Sequence, residues 1–587
     1  MRWYAGFRPV CPVIITTSRE ESILLQKPQL KRWWVYPRIP TEISVELQDF
    51  PDYLQQLVYN RGFTQADAAA DYLNAAQPLH DPFLLMDMER AARRLLQAVD
   101  RQEAIIVYGD YDVDGVSATA LAVQVLKALG GRVTRYIPNR FDEGYGVNNE
   151  AVQMLADSGV KVILTVDCGI RSPQEAELAK SLGVDMIVSD HHYPKGDLPG
   201  AYAVICPKRE GDPYPYKELA GVGLAYKIAE ALFALRKSAD HTAEEWLDLV
   251  ALGTVADVVP LTGENRVLVR RGLSTIRQGR RAGLQALIRV SGRDPQRISA
   301  GDIGFMLGPR LNAAGRMDSA LQAYELLMTT TLEEAGSLAQ KLDNQNSEQQ
   351  RLTKETRAMA EEKIGLSTEA NLIASFDPSY STGIMGLVAT NLVETYYRPA
   401  IVGCVEGEVT RASCRSIAEF HITQALDQCA DLLVRHGGHA MAAGFTVENE
   451  KVPLLLKRLQ SIADRELAGK DLRKTLKADM ELPIERVREV SLNSLDRLQP
   501  TGMENPEATF VSRNVTIKNA RALGAEKKHI KFTCQAGNYL LDAVAWRQSD
   551  WLADLPGTFD LLYSIEENSY MGSRTLQLNV RDMYPSA

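Results

Sequence analysis

Between residues 104 and 207 short β-branched runs alternate with helical stretches, and this alternation constrains the chain more than any other feature. The runs fall at 104–108, 133–137, 161–166, 185–189 and 203–205, with helical stretches at 116–129 and 173–182. Ser172 and Pro173 supply an N-cap and a first helical residue for the second stretch. Strand–helix alternation of this kind predicts a parallel sheet with helices on both faces. The carboxyl ends of such strands share one edge, where open α/β sheets bind their ligands.

That edge is populated by acids and imidazoles. The first run leads into Gly109-Asp110-Tyr111-Asp112-Val113-Asp114-Gly115, the third into Asp167, and the fourth into Asp190-His191-His192. Asp257 follows a helix that ends near Leu252 and reaches the same edge. An Asp-x-Asp-x-Asp-Gly run also opens a calcium-binding EF-hand loop, but the twelfth position here is Leu121 instead of a bidentate Glu, and a strand precedes the run. That reading is rejected. A lone Asp after a strand is usually a turn or cap residue, yet four acidic points converging on one edge need cations between them. Carboxylates with imidazole suit Mn²⁺ or Mg²⁺, and no Cys-x-x-Cys pair offers a zinc site. The ligands suffice for two ions, which can clamp both oxygens of an in-line phosphoryl displacement.

Other residues suit an anionic polymer. Arg140 ends a strand run near the same edge, and Tyr145 sits between glycines, where its ring could stack on a base. Arg310 and Arg316 flank a Gly/Asn/Ala-rich segment containing Asn312. Ser413 and Arg415, with a glycine-rich segment around His439, form a second candidate anion site. The net charge of −9 excludes a protein that coats nucleic acid over its whole surface, although a local basic channel remains compatible with it.

The length of 587 residues calls for several domains. Residues 1–50 read as a tail and lead-in, 51–330 as the catalytic α/β domain, and 331–364 as a helical linker. The linker is polar and helix-favouring, either one long helix or two helices with a break near 344–347. A second α/β domain is expected at 365–468, and short alternating strands at 469–587 suggest a small barrel. Seven scattered cysteines read as free thiols of a reducing compartment. With no apolar run long enough to span a membrane, a cytoplasmic protein is expected.

The four acidic motifs, in order, resemble those of the DHH phosphoesterase superfamily, and from Trp33 onward the chain is similar to its bacterial RecJ exonucleases. Supporting segments are Leu79-His80-Asp81-Pro82, Glu143-Gly144-Tyr145-Gly146, the run from Gly308 to Arg316 and the run from Gly437 to Gly444. The resemblance implies that Asp112 and Asp114 each bind one metal, with Asp110 close by, that Asp167 bridges both, and that His191 and Asp257 complete the second site. His192 would donate a hydrogen bond to the scissile phosphate, and Arg140, Ser413 and Arg415 would hold a 5′ phosphate. It further implies a parallel-sheet DHH domain, a DHH-associated α/β domain and an OB-fold, in which Lys531, Phe532 and Trp546 would contact the strand. The implied activity is 5′-to-3′ degradation of single-stranded DNA to mononucleotides in repair and recombination. The expected protein is a monomer, with a single-strand-binding protein and a helicase as partners. One segment departs from the family pattern: Tyr380-Ser381-Thr382-Gly383 keeps an aromatic but lacks the usual histidine. Rival readings are a phosphoesterase for small substrates, which would not require a barrel domain, and a non-catalytic scaffold, which could afford to lose ligands that are complete here.

Overall fold

The structure, a computed structural model, describes residues 31–139, 143–144, 146–364, 370–537, 539–570 and 573–586. The chain divides into two compact units that are not contiguous in sequence: 75–355 with 499–506, and the remainder.

The first unit is built on a five-stranded parallel sheet in the order Val133–Tyr136, Ile105–Gly109, Val162–Val166, Asp185–Ser189, Ala203–Ile205. The two central strands Ile105–Gly109 and Val162–Val166 are buried along their whole length, as expected for a sheet covered on both faces. Register then fixes the position of the acids. Gly109 pairs with Val166 and Val166 with Ser189, so Asp110, Asp167 and Asp190 leave three adjacent strands at the same level. Neighbouring strands lie about 4.8 Å apart, which brings these three residues within reach of shared ligands.

Helix Val113–Ala128 starts three residues earlier than the sequence pattern predicts. Asp112 is its N-cap and accepts hydrogen bonds from the amides of Asp114 (2.9 Å) and Gly115 (3.1 Å), so Asp114 lies in the first turn. Elsewhere in the unit Lys227 is fully buried and bonds Glu230 (2.8 Å), Glu264 (3.0 Å) and the carbonyl of His80 (2.9 Å). Glu264 also accepts from the His80 amide, so this network clamps the Leu79–Pro82 segment seen in the sequence. Residues 499–506 belong here too, although the sequence places them with the barrel. The Met503 carbonyl accepts from the Leu261 amide (2.8 Å) and the Pro500 carbonyl from the buried Arg266 (3.3 Å), which anchors the chain just beyond Asp257.

Leu332–Ile364 is one continuous helix, which decides between the two readings of 331–364. The second unit contains a mixed sheet in the order Leu433–His439, Ala442–Glu448, Val409–Arg415, Ala400–Glu406, Ile373–Asp377, with only the last pair parallel. Tyr380 is buried against this sheet and bonds Ser375 (2.9 Å), so the aromatic of the departing segment is a core residue. The C-terminal strands Phe510–Leu523, His529–Ala536, Tyr539–Ala545, Ser573–Pro585 and Gly557–Tyr570 close into a barrel when the last pairs with the first. Helices Asp52–Asn60 and Ala66–Asn74, expected with the catalytic domain, instead bury Leu54, Leu57, Val58, Ala69 and Leu73 in the barrel's core cluster. The reason is tertiary: an amphipathic helix shows which face it buries but not against what.

Candidate metal centre

Asp167 stands in the left-handed region (φ +62°), which Asp and Asn tolerate better than other non-glycine residues. Its amide donates to the Ser189 carbonyl (3.0 Å). A Cβ at Gly221 would lie 2.5 Å from the Asp167 Cβ, so only glycine permits the first turn of helix Gly221–Leu235 to come this close. That turn has a second role. The amides of Gly221 (2.7 Å) and Val222 (2.9 Å) donate to the two carboxylate oxygens of Asp114, which is thereby held at a helix N-terminus. A Cβ at Gly253 would fall 2.7 Å from the same carboxylate.

His191 Nε2 lies 3.2 Å from Asp167 Oδ1 and 3.5 Å from Asp257 Oδ2. His192 turns its Nδ1 to Asp190 Oδ1 at 2.7 Å, and Asp190 also accepts from the amides of Ile170 (2.9 Å) and His192 (3.0 Å). Asp190 therefore orients the His192 ring.

The electrostatics show which ligands this arrangement suits. Burial, then the charges of Asp114 and Asp112, pushes the Asp257 carboxyl up to about 9, with Lys208 opposing. Burial and Asp112 push Asp114 up to about 7 against the pull of the helix amides. Asp167 is also driven well up, by burial first and then by Asp114, Asp112, Asp257 and Asp110. Burial alone would raise Asp190, but its bonds to His192 and to the amides outweigh that and lower it. Burial, with the neighbouring His192, lowers His191 to about 3, so its ring is neutral and able to ligate at neutral pH. Asp167 Oδ1 and His191 Nε2 are buried without hydrogen-bond partners among the described residues.

Crowded acids that resist ionisation, a neutral imidazole and orphaned buried acceptors fit divalent cations. Three ligand sets lie within 4.8 Å: Asp110/Asp112/Asp167, Asp114/His191/Asp257 and Asp167/His191/His192. Asp167 is shared between the first and the third. Oxygen-rich sets with imidazole suit Mn²⁺ or Mg²⁺. The sequence reading placed Asp190 at this edge without a role of its own and left Gly221 and Gly253 out of the site. The glycines in Leu219-Ala220-Gly221-Val222-Gly223 were the available sign of close backbone approach.

The remaining expected residues have varied positions. Asn312 Oδ1 accepts from the Val113 amide (3.2 Å), which steadies the aspartate loop. Arg310 is engaged within the protein, with Nε on Asp343 (2.9 Å) and Nη1 on the Met306 carbonyl (2.7 Å). Arg310 lies on helix Gly308–Met317, and Arg316 is half-buried in its last turn. Arg415 and His439 both face Ala442 in register, and Ser413 faces Gly444, which itself faces Gly437, so these side chains share one face of the mixed sheet. Arg415 donates to Ser413 (3.2 Å), and a Cβ at Gly386 would lie 2.8 Å from the guanidinium. In the barrel Lys531 pairs with Asp542 (3.0 Å), and Trp546 is 49% exposed beside His529. Phe532 is a correction: it is 1% exposed and lies in the barrel core, because strand alternation that turns Lys531 outward turns Ile530, Phe532 and Cys534 inward. Arg140 and Tyr145 lie outside the described residues.

Fold and cluster together define a phosphoesterase of the DHH family. Family models match in three places: "DHH family, N-terminal domain" at residues 104–254, "DHHA1 domain" at 369–465 and "RecJ OB domain" at 478–582. The single-stranded-DNA-specific exonuclease RecJ of Bacillus subtilis is 38% identical over 90% of this chain and 67% of its own length, and that of Escherichia coli is 35% identical over 92% and 96%. The crystal structure of RecJ from Thermus thermophilus in complex with Mn²⁺ superposes with a TM-score of 0.82 at 30% identity, covering 95% of this chain and 80% of that one. A second structure from that organism, in complex with Mg²⁺, gives a TM-score of 0.74 at 28% identity over 95% and 79%. The chain belongs to the RecJ family. It is a metal-dependent enzyme whose fold class is the one expected from its sequence.

Proposed function

We propose that this protein degrades single-stranded DNA from its 5′ end, releasing 5′-mononucleotides, with Asp110, Asp112, Asp114, Asp167, His191 and Asp257 holding two divalent ions. The observation that carries this reading is the row of Asp110, Asp167 and Asp190 at adjacent strand ends, with Asp167 common to two ligand sets. When bound, the ions would supply Lewis-acid stabilisation of the charge that develops on phosphorus-bound oxygens. The chain's own contributions are these. Asp190 accepts from His192 Nδ1 and so fixes the ring, which in its doubly protonated form would donate from Nε2 to a non-bridging phosphate oxygen. The Gly221 and Val222 amides keep the Asp114 carboxylate in place, and Asn312 steadies the loop that carries Asp112.

Ser413, Arg415 and His439 form a phosphate site on the mixed sheet. On the catalytic unit Arg140, Arg310 and Arg316 are separate phosphate contacts, with Tyr145 as a stacking ring. Lys531 and Trp546 offer a weaker contact on the barrel. The catalytic domain spans 75–330, the helical linker 331–364, the DHH-associated domain 365–468 and the barrel 469–587, with 52–74 packed on the barrel and 499–506 on the catalytic domain. The finer reading is a cytoplasmic monomer that works with a single-strand-binding protein and a helicase, a reading that family membership supports. Among the described residues no helix is long and apolar enough to cross a membrane.

The reading is tested with single-stranded DNA labelled at either end and incubated with Mn²⁺. Label at the 5′ end should appear first as mononucleotide, whereas early release of 3′ label, or equal attack on RNA, would contradict it. Arg415→Ala should lower the preference for a 5′-phosphorylated over a 5′-hydroxyl strand about tenfold or more while leaving Mn²⁺ affinity unchanged, since charge-assisted bonds to phosphate are worth about 1.5–3 kcal/mol. A variant that keeps the wild-type preference removes Arg415 from this role.

A further inference from the structure

We propose that Phe305, carried on a turn that packs against the residues leading into Asp257, is a nucleobase-stacking platform at the edge of the metal centre, taking the base of a nucleotide close to the reacting phosphate. The inference rests on the nuclease reading above and deepens it.

Two independent features meet there. Phe305 is 83% exposed, more than any other large apolar side chain described. It lies in a single π-helical turn, Ile303–Leu307, whose ends Ile303 and Leu307 are buried. Such turns are rare and concentrate at functional sites. Val258 is 58% exposed and left-handed (φ +60°), a strained state for a β-branched residue, and it immediately follows Asp257.

The two are neighbours through their supports. A Cβ at Gly304 would lie 3.7 Å from Val255, and one at Gly308 would lie 3.6 Å from Ala256, the residues that lead into Asp257. The Val258 amide donates back to the Val255 carbonyl (3.3 Å). Further along the same helical segment Asn312 bonds Val113, and Gly315 packs on the Tyr111 carbonyl, so the segment bearing Phe305 spans from Asp257 to the aspartate loop. It is held rigidly: Ser299 and Asp302 form a capping box at its start, and Arg310 bonds the Met306 carbonyl.

A flat apolar ring presented to solvent on a rigid mount beside a phosphodiester-cleaving centre suits the face of a base. Every base has such a face, so the contact would be independent of sequence. The occupant is therefore a nucleobase of single-stranded DNA.

The test compares wild type, Phe305→Ala and Phe305→Tyr on a 5′-phosphorylated oligothymidylate in Mn²⁺, and on the same strand with one abasic residue moved through its first positions. Phe305→Ala should lower kcat/KM about ten- to a hundredfold, and Phe305→Tyr should stay within about threefold of wild type. One abasic position should lower the wild type by a similar factor and the Ala variant no further. Losses that multiply at every abasic position would mean that something other than a base covers Phe305. A reduced Mn²⁺ affinity of Phe305→Ala in calorimetry would make its role structural. Either result overturns the platform, as does an Ala variant as active as wild type. A wild type that fails to shorten the intact strand would sink the nuclease reading and the platform with it.

Discussion

Asp167→Asn is expected to lower kcat by about a thousandfold or more in saturating Mn²⁺ while leaving the fold intact. Asn is the informative replacement. Asp167 occupies a left-handed backbone state that Asn tolerates, whereas Ala would add strain and confuse a chemical defect with a folding one. The isostere removes one negative charge from a cluster in which burial and four other aspartates already push this carboxyl well up. The metal-free variant should therefore melt at a higher temperature than the metal-free wild type. The pH dependence has a definite sign. Carboxyls whose folded pKa is raised, here Asp257 to about 9 and Asp114 to about 7, destabilise the folded state once they must ionise. Metal-free wild type should gain stability as pH falls from about 9 to about 7, and the Asn variant should gain less. Below about 6.5 the lowered His191 acts in the opposite direction, because its buried ring resists protonation. Melting curves across that range check both statements. A variant that melts below wild type, or that retains more than a few per cent of its rate, contradicts the assignment.

Asp190→Asn should reduce kcat about a hundredfold with little change in Mn²⁺ affinity. Asp190 belongs to none of the close ligand sets, but its carboxylate holds His192 Nδ1 at 2.7 Å and is fixed by two amides. An amide in its place can still fill the space and satisfy one backbone donor. It no longer supplies the carboxylate that orients the ring, so the loss should fall on kcat more than on KM. His192→Ala should cost about as much, and the double variant little more, because the two residues act as one unit. Independent, multiplying losses would separate them.

The acids of the site could be read from the sequence because each follows a strand, and strands announce their ends by periodicity. Once Ile105–Gly109, Val162–Val166 and Asp185–Ser189 are recognised as parallel neighbours, the placement of Asp110, Asp167 and Asp190 follows without side-chain detail. What holds the neighbouring Asp114 was not readable. The Gly221 and Val222 amides come from a helix more than a hundred residues away, and no local pattern says which carboxylate a helix N-terminus will meet. The same limit explains helices Asp52–Asn60 and Ala66–Asn74, whose apolar faces are evident while their partner, the barrel, is not. Segment 499–506 is a stronger case, since only the tertiary structure takes it out of its sequence neighbourhood to brace the chain beyond Asp257. Phe532 differs from these. Alternation with Lys531 and Ile530 was visible in the sequence and would have placed its ring inside the barrel.

Whether Asp167 joins two ligand sets into one dinuclear centre is decided by titrating metal-free protein with Mn²⁺ under calorimetry and electron paramagnetic resonance. Wild type should bind two ions per chain with the spectrum of a spin-coupled pair, and Asp167→Asn should lose the coupling and weaken at least one site. A single uncoupled ion in the wild type, or a coupled pair that survives in the Asn variant, would contradict the account.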